Sequence, residues 1–133
     1  MHKYTFKKNE RLASKKSISE LFTKGKKIKN FPFFVRFLVI EDSDSPAKLL
    51  ISVPKKIFKL AYKRNRIKRL IREAYRLNKH MLYDCLETNN TKILLSLSYY
   101  NSKTPDYNLV LKKVIEIFST LCDKINNNEN NIS

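Results

Sequence analysis

Between Lys63 and Lys79 the chain places eight lysines and arginines against a single carboxylate, Glu73. A guanidinium is planar, permanently charged and forked to meet two oxygens at once, so it suits phosphate, and ammonium groups add point charge beside it. The spacing sharpens the reading. With Arg64 set to zero, Arg64, Asn65, Lys68, Arg69, Arg72, Arg76 and Lys79 fall within about 0° to 140° of one helical wheel. Ile67, Leu70, Ile71, Ala74 and Leu77 fall between about 220° and 340°. One side of such a helix docks on a core, while the other offers a row of cations to a polyanion. A merely solvated face would interleave carboxylates four residues from each base, and only Arg69–Glu73 has that spacing. Arg66 lies near about 200°, at the margin of the apolar stripe, where it can also buttress the fold through a carboxylate or a carbonyl.

Other chemistries lack their residues. A protein nuclease acting alone needs clustered carboxylates for metal ions or a histidine acid–base pair. The close acidic group Glu41, Asp42 and Asp44 sits among serines before Pro46 and reads as a solvated turn. His80, just past the basic run, suits a cap on the helix dipole. Two cysteines, Cys85 and Cys122, are too few for a disulfide scaffold or a cysteine-based zinc site and read as small buried apolar residues. A single glycine, Gly25, leaves no glycine-rich phosphate loop. No metal site is expected in the protein.

The chain of 133 residues carries 28 lysines and arginines against 12 acids, a net charge of +16. At 42% hydrophobic and 11% aromatic it can pack a core, and its length fits one domain. The positive excess is concentrated in residues 1–29 and 55–79, whereas 30–54 and 80–133 are close to neutral. Charge added for solubility would be scattered, so polyanion binding is favoured over a solvated surface or an anionic membrane contact. The longest apolar run is far short of a membrane span and no signal-peptide core opens the chain, so a cytoplasmic protein is expected.

The elements that must position the basic helix follow from periodicity. Residues 1–13 read as a basic arm, extended over Tyr4 to Arg11. Ser14 to Lys24 reads as a helix, with Ile18, Leu21 and Phe22 on one side and Gly25 placed as its C′ glycine. Phe33 to Ile40 and Lys48 to Val53 read as strands, expected to pair antiparallel across a turn of about six residues. A short strand over Lys27 to Lys29 precedes them. The basic helix covers about Tyr62 to Lys79, and Thr91 to Tyr99 forms another strand. Thr104-Pro105-Asp106 starts the last helix with proline at or near its first position. Leu109, Val110, Val114, Ile117, Phe118 and Leu121 form its buried side. Asn126 to Ser133 reads as a fraying tail. Tyr99 and Tyr100 at a strand end suit packing better than a base-stacking platform. The order gives an α+β fold with helices covering a small sheet.

The run Lys63-Arg-Asn-Arg-Ile-Lys-Arg-Leu-Ile-Arg-Glu-Ala-Tyr-Arg76 resembles the RNR signature of the bacterial ribonuclease P protein subunit family. Ser52-Val-Pro-Lys-Lys-Ile57 resembles the strand end and double lysine that precede it. Glu10-Arg-Leu12, Ile18, Phe22 and Gly25 resemble the family's N-terminal region. The chain departs in carrying Ile18 where an aromatic is usual and Arg36 where tyrosine is frequent. Phe58 follows the Lys-Lys-Ile run in place of glycine, with about one extra residue before the signature.

The resemblance implies an α-β-β-β-α-β-α two-layer sandwich with a left-handed βαβ crossover, against the general preference. It implies a ribonucleoprotein in which a catalytic RNA removes the 5′ leader of precursor tRNA using Mg²⁺ bound mainly by RNA. The protein, a monomer present once per RNA subunit, supports substrate and metal binding. Arg64, Asn65, Arg66, Lys68, Arg69 and Arg72 would contact the RNA subunit, with Arg76, Lys55 and Lys56 on the same surface. Ile18, Phe22, Phe34, Arg36 and Ser52 would line a cleft for the leader. Strand alternation agrees in putting Phe34 and Arg36 on one face. A basic ribosomal protein without enzymatic role is the rival reading, separable by which RNA co-purifies.

Overall fold

The computed structural model describes residues 6–132, with side chains through Asn127. Its elements are α1 (Lys15–Lys24), β1 (Lys26–Asn30), β2 (Phe33–Ile40), β3 (Ala47–Ser52), α2 (Ala61–Thr88), β4 (Lys92–Tyr99) and α3 (Tyr107–Ile132). The α-β-β-β-α-β-α order is the one expected. The four strands form one sheet in the order β1-β2-β4-β3.

β4 sits at the centre, antiparallel to β2 and parallel to β3. The expected β2–β3 hairpin is therefore absent. A run buried from Ile93 to Tyr99 suits an interior strand with neighbours on both edges, and β4 takes the place between the two. The Glu41–Pro46 turn spans the gap of about 10 Å that this insertion opens.

One sheet face, with Phe33, Val35 and Phe37 of β2, packs on Ile67, Ile71, Ala74 and Tyr75 of α2 and on Val110, Val114, Ile117 and Phe118 of α3. On the other face α1 covers only one end, where Leu21 joins Leu12, Leu94, Leu38, Ile40 and Leu50. Gly25 closes α1 with an ordinary φ of −68°, so left-handed freedom is not its role. A Cβ there would lie 2.3 Å from the Leu21 carbonyl oxygen, and this close approach requires glycine.

α2 continues nine residues beyond Lys79, because Leu82 and Leu86 renew the buried stripe at four-residue spacing. His80 thus lies inside the helix rather than capping it, and Asn90, at a φ of 50°, follows the true end. Leu77 sits at the margin of the stripe, exposed. The Asp106 carboxylate accepts the Leu109 N–H and caps α3, which puts Pro105 one position before the cap. α3 runs on through the asparagine-rich segment to Ile132, anchored where Ile125 is buried and Asn89 Nδ2 donates to Asn126 Oδ1 at 2.8 Å.

The arm also departs from its extended reading. Residues 1–5 lie outside the described residues, but Lys8–Glu10 form a 3₁₀ turn, Arg11 bridges to Leu49, and Glu10 and Leu12 are buried.

Candidate nucleic-acid interface

The first half of α2 presents the predicted cationic face. Asn65, Arg66 and Arg69 are exposed, and Lys68, Arg72 and Arg76 are half-buried along their stems. Lys55 and Lys56 are exposed in the turn after β3. Arg66 makes no side-chain hydrogen bond or ion pair among the described residues, so the buttressing role passes to its neighbour. Arg64 Nη1 donates to the Phe58 carbonyl at 2.7 Å and the Lys59 carbonyl at 2.9 Å, tying α2 to the loop ahead of it.

Two charges differ from the wheel. Glu73 pairs with Arg76 rather than Arg69, through Nε–Oε1 at 3.1 Å and Nη2–Oε2 at 2.7 Å. The Arg76 hydrogen bond holds the Glu73 carboxyl below its ordinary range. Lys79 belongs to the interior, where its ammonium meets the Glu10 carboxylate. The basic face therefore ends near Arg76, since the N-terminal segment covers the helix beyond it. Tyr83 Oη donates to the same Glu10 oxygen at 2.9 Å and contacts Tyr75 Oη at 3.2 Å.

A second surface lies on the sheet face that α1 leaves open. Lys27 stands opposite Arg36, Lys29 opposite Phe34, Phe34 opposite Ser98 and Arg36 opposite Ser96, so register alone gathers these side chains on one face. With Phe22 and Tyr100 they line a groove of about 430 Å³. The Arg36 guanidinium lies 4.9 Å from the Phe22 ring centroid, and its Nη1 donates to the Phe22 carbonyl at 2.9 Å. Lys29 Nζ lies 5.7 Å from the Phe34 ring, whose edge-to-face partner Tyr100 is 5.0 Å away. Ser96 Oγ is buried with no hydrogen-bond partner among the described residues.

Three of the five predicted cleft residues, Phe22, Phe34 and Arg36, meet there. Ile18 does not, because it turns toward the small cluster of Leu12, Leu21 and Leu94. Ser52 pairs with Ser98 one strand further along the same face, outside the lining. Aromatic faces, cations and hydroxyls without a converging carboxylate make a binding surface. Among the described residues no three histidine, cysteine or acidic side chains gather to hold a metal ion.

The family model described as Ribonuclease P matches residues 6–122. The chain belongs to the ribonuclease P family. A ribonuclease P protein component from Porphyromonas gingivalis is 39% identical over 104 residues, which are 77% of this chain and 76% of that protein. Another, from Syntrophus aciditrophicus, is 43% identical over 79 residues, 59% of this chain and 64% of its own length. The solved RNase P protein of Staphylococcus aureus superposes with a TM-score of 0.70 at 22% identity, covering 86% of this chain and 96% of its own. That of Thermotoga maritima gives 0.65 at 24% identity, covering 82% and 94%. The RNR block thus identified the ribonuclease P family correctly.

Sequence reading missed Lys27, Lys29, Ser96, Ser98 and Tyr100 as groove residues. The alternation of β1 was visible, but only the pairing with β2 and β4 says which face it shares. Tyr99 is buried and donates to the Lys103 carbonyl at 2.6 Å, as packing predicts, whereas Tyr100 stands in the groove.

Proposed function

We propose that this chain is the protein subunit of the ribonucleoprotein ribonuclease P, in which an RNA subunit cuts the 5′ leader from precursor tRNA. The observation that carries the reading is the RNR block itself, displayed by a ribonuclease P family member on a helix whose first half carries Glu73 as its single carboxylate. Exposed arginines on such a face neutralise phosphates and release counterions, the main source of affinity for a folded RNA. Asn65, Arg66, Lys68, Arg69, Arg72, Arg76, Lys55 and Lys56 are the contacts assigned to the RNA subunit. Arg64 contributes by fixing the helix start as well as by charge.

The groove takes the unpaired leader. Bases stack on Phe22, Phe34 and Tyr100 while Lys27, Lys29 and Arg36 follow the backbone, a mixed surface that tolerates any sequence. Ser52 and Ile18 border the same face without lining the groove. Mg²⁺ supplies Lewis-acid chemistry in this reading and is held by RNA and substrate; the protein's part is to bind and orient. It acts in the cytoplasm as a monomer, once per RNA subunit, and is not catalytic by itself. Among the described residues no helix is long and apolar enough to cross a membrane.

The test is processing of a labelled precursor tRNA at low Mg²⁺ with RNA subunit alone, protein alone, and both. Cleavage at the mature 5′ end should need the RNA and rise sharply with the protein. Specific cleavage by protein that survives exhaustive nuclease treatment overturns the reading, as does an RNA subunit unaffected by the protein.

A further inference from the structure

The start of α2 carries an aromatic side chain that neither the core nor the groove uses. Tyr62 is 66% exposed, and its neighbour Leu60 is 52% exposed. Tyr62 makes no side-chain hydrogen bond or ring contact among the described residues. The stretch from Lys55 to Arg66 holds Lys55, Lys56, Lys59, Lys63, Arg64 and Arg66 and no acid at all. A large apolar ring therefore stands in water inside the most cationic part of the chain. Beside the exposed Leu60 and with no hydroxyl or ring partner among the described residues, this ring is open to a partner that the surrounding cations attract.

The helix places Tyr62 beside two exposed arginines. Tyr62 and Arg66 fall near about 160° and 200° of the wheel, just past the arc that carries Lys68 and Arg72, and Arg69 at about 140° stands at its edge. Arg66 follows Tyr62 by four residues, so the two stand one turn apart on one side of the helix, and a base laid on the ring comes within reach of the guanidinium. A ring next to a guanidinium plane is the pair that receives an unstacked base. Charge chooses among occupants. A second copy of this chain brings +16 of the same sign, whereas a nucleotide brings the opposite charge and a flat apolar face.

We propose that Tyr62 stacks on an unpaired nucleotide of the RNA bound by α2, with Arg66 on its phosphate or its other face. This rests on the reading of α2 as an RNA-binding helix, and it adds that the partner presents a looped-out or terminal base there. The contact recognises shape more than sequence, because every base has a stacking face.

The test titrates the full-length protein against the RNA subunit transcribed from the same genome, at several salt concentrations. Tyr62→Ala should weaken binding about ten-fold, the scale of a lost stacked base, and Tyr62→Phe should bind as the native chain does. The salt slope should be unchanged in Tyr62→Ala but smaller by about one in Arg66→Ala, since only the latter removes a cation. Alanine suits an exposed helix position, so the melting temperature should hold. Native affinity in Tyr62→Ala overturns the proposal, and so does a Tyr62→Phe variant as weak as Tyr62→Ala. A dimer that dissociates on Tyr62→Ala in sedimentation assigns the ring to self-association and overturns it as well. Failure of the native chain to bind the RNA removes the α2 reading together with this one, an outcome distinct from failure of Tyr62→Ala alone.

Discussion

The Glu10 carboxylate and the Lys79 ammonium, 69 residues apart in the chain, form an ion pair with side chains only 7% and 6% exposed. It clasps the segment before α1 to the middle of α2, and Tyr83 adds a hydrogen bond to the same carboxylate. Phe6 packs edge-on against Tyr75 at 5.7 Å beside it. The N-terminal segment is thus part of the folded body from Phe6 onward, and the cationic surface of α2 stops where this clasp begins.

Glu10→Ala should destabilise the protein by about 3–5 kcal/mol, because an ammonium is left buried without its partner. Replacing both, Glu10→Leu with Lys79→Met, should recover most of that loss. Urea denaturation of the three proteins measures it. A single variant as stable as the native chain contradicts the clasp.

Burial pushes the Tyr75 hydroxyl well above its ordinary value of 10.0, and the nearby Tyr83 pushes it further. Burial raises Tyr83 likewise. In the unfolded chain both ionise near the ordinary value while the folded protein keeps their protons. Above about pH 10 the folded state therefore binds more protons, so stability present below that pH falls as pH rises. Tyr75→Phe and Tyr83→Phe should each flatten this alkaline fall, read from denaturation midpoints at several pH values. An unaltered slope in both variants counts against it.

Phe22→Ala with Arg36→Ala should weaken precursor tRNA binding by the assembled ribonucleoprotein by about 1–3 kcal/mol. Mature tRNA has no leader to lie in the groove, so its affinity should hardly move. Phe22 is 38% exposed and Leu21 takes the buried position beside it, so the melting temperature should change little. Parallel loss of both affinities would point instead to a damaged fold.

The arginines of the RNR block should separate into two behaviours. Arg69→Ala and Arg72→Ala should weaken RNA-subunit binding and lower the salt slope by about one unit each, without unfolding. Arg64→Ala should in addition cost about 1–3 kcal/mol of stability, because two carbonyls lose a charged donor. Equal melting temperatures for all three remove the structural role of Arg64.

Sequence periodicity was enough to put the three long helices and four strands in order, but it ended the basic helix at Lys79, nine residues short, and read the 3₁₀ turn at Lys8–Glu10 as extended. It was not enough to arrange them. Nothing local in Phe33–Ile40 or Ala47–Ser52 says that a strand forty residues further on will separate them, because that choice belongs to the apolar run of β4. The same limit explains the site. Arg64 and Lys79 look like surface cations on a wheel, and only the loop carbonyls of Phe58 and Lys59 and the distant Glu10 turn them inward. Phe34 and Arg36 were legible together because they share one strand. Tyr100 and Lys29 join them through pairing across strands.

The central position of β4 also sets a schedule for synthesis. As the chain leaves the ribosome, β1 and β2 can pair as soon as both are out, but β3 has no strand to bind until residue 92 and those after it arrive. Until then the inner edges of β2 and β3 stay unpaired and the apolar side of α2 lacks most of its floor. The cationic helix therefore emerges before the body that will hold it straight. A nascent chain stopped short of Lys92 should remain open to protease, and one extended past Ile125 should become resistant in a single step.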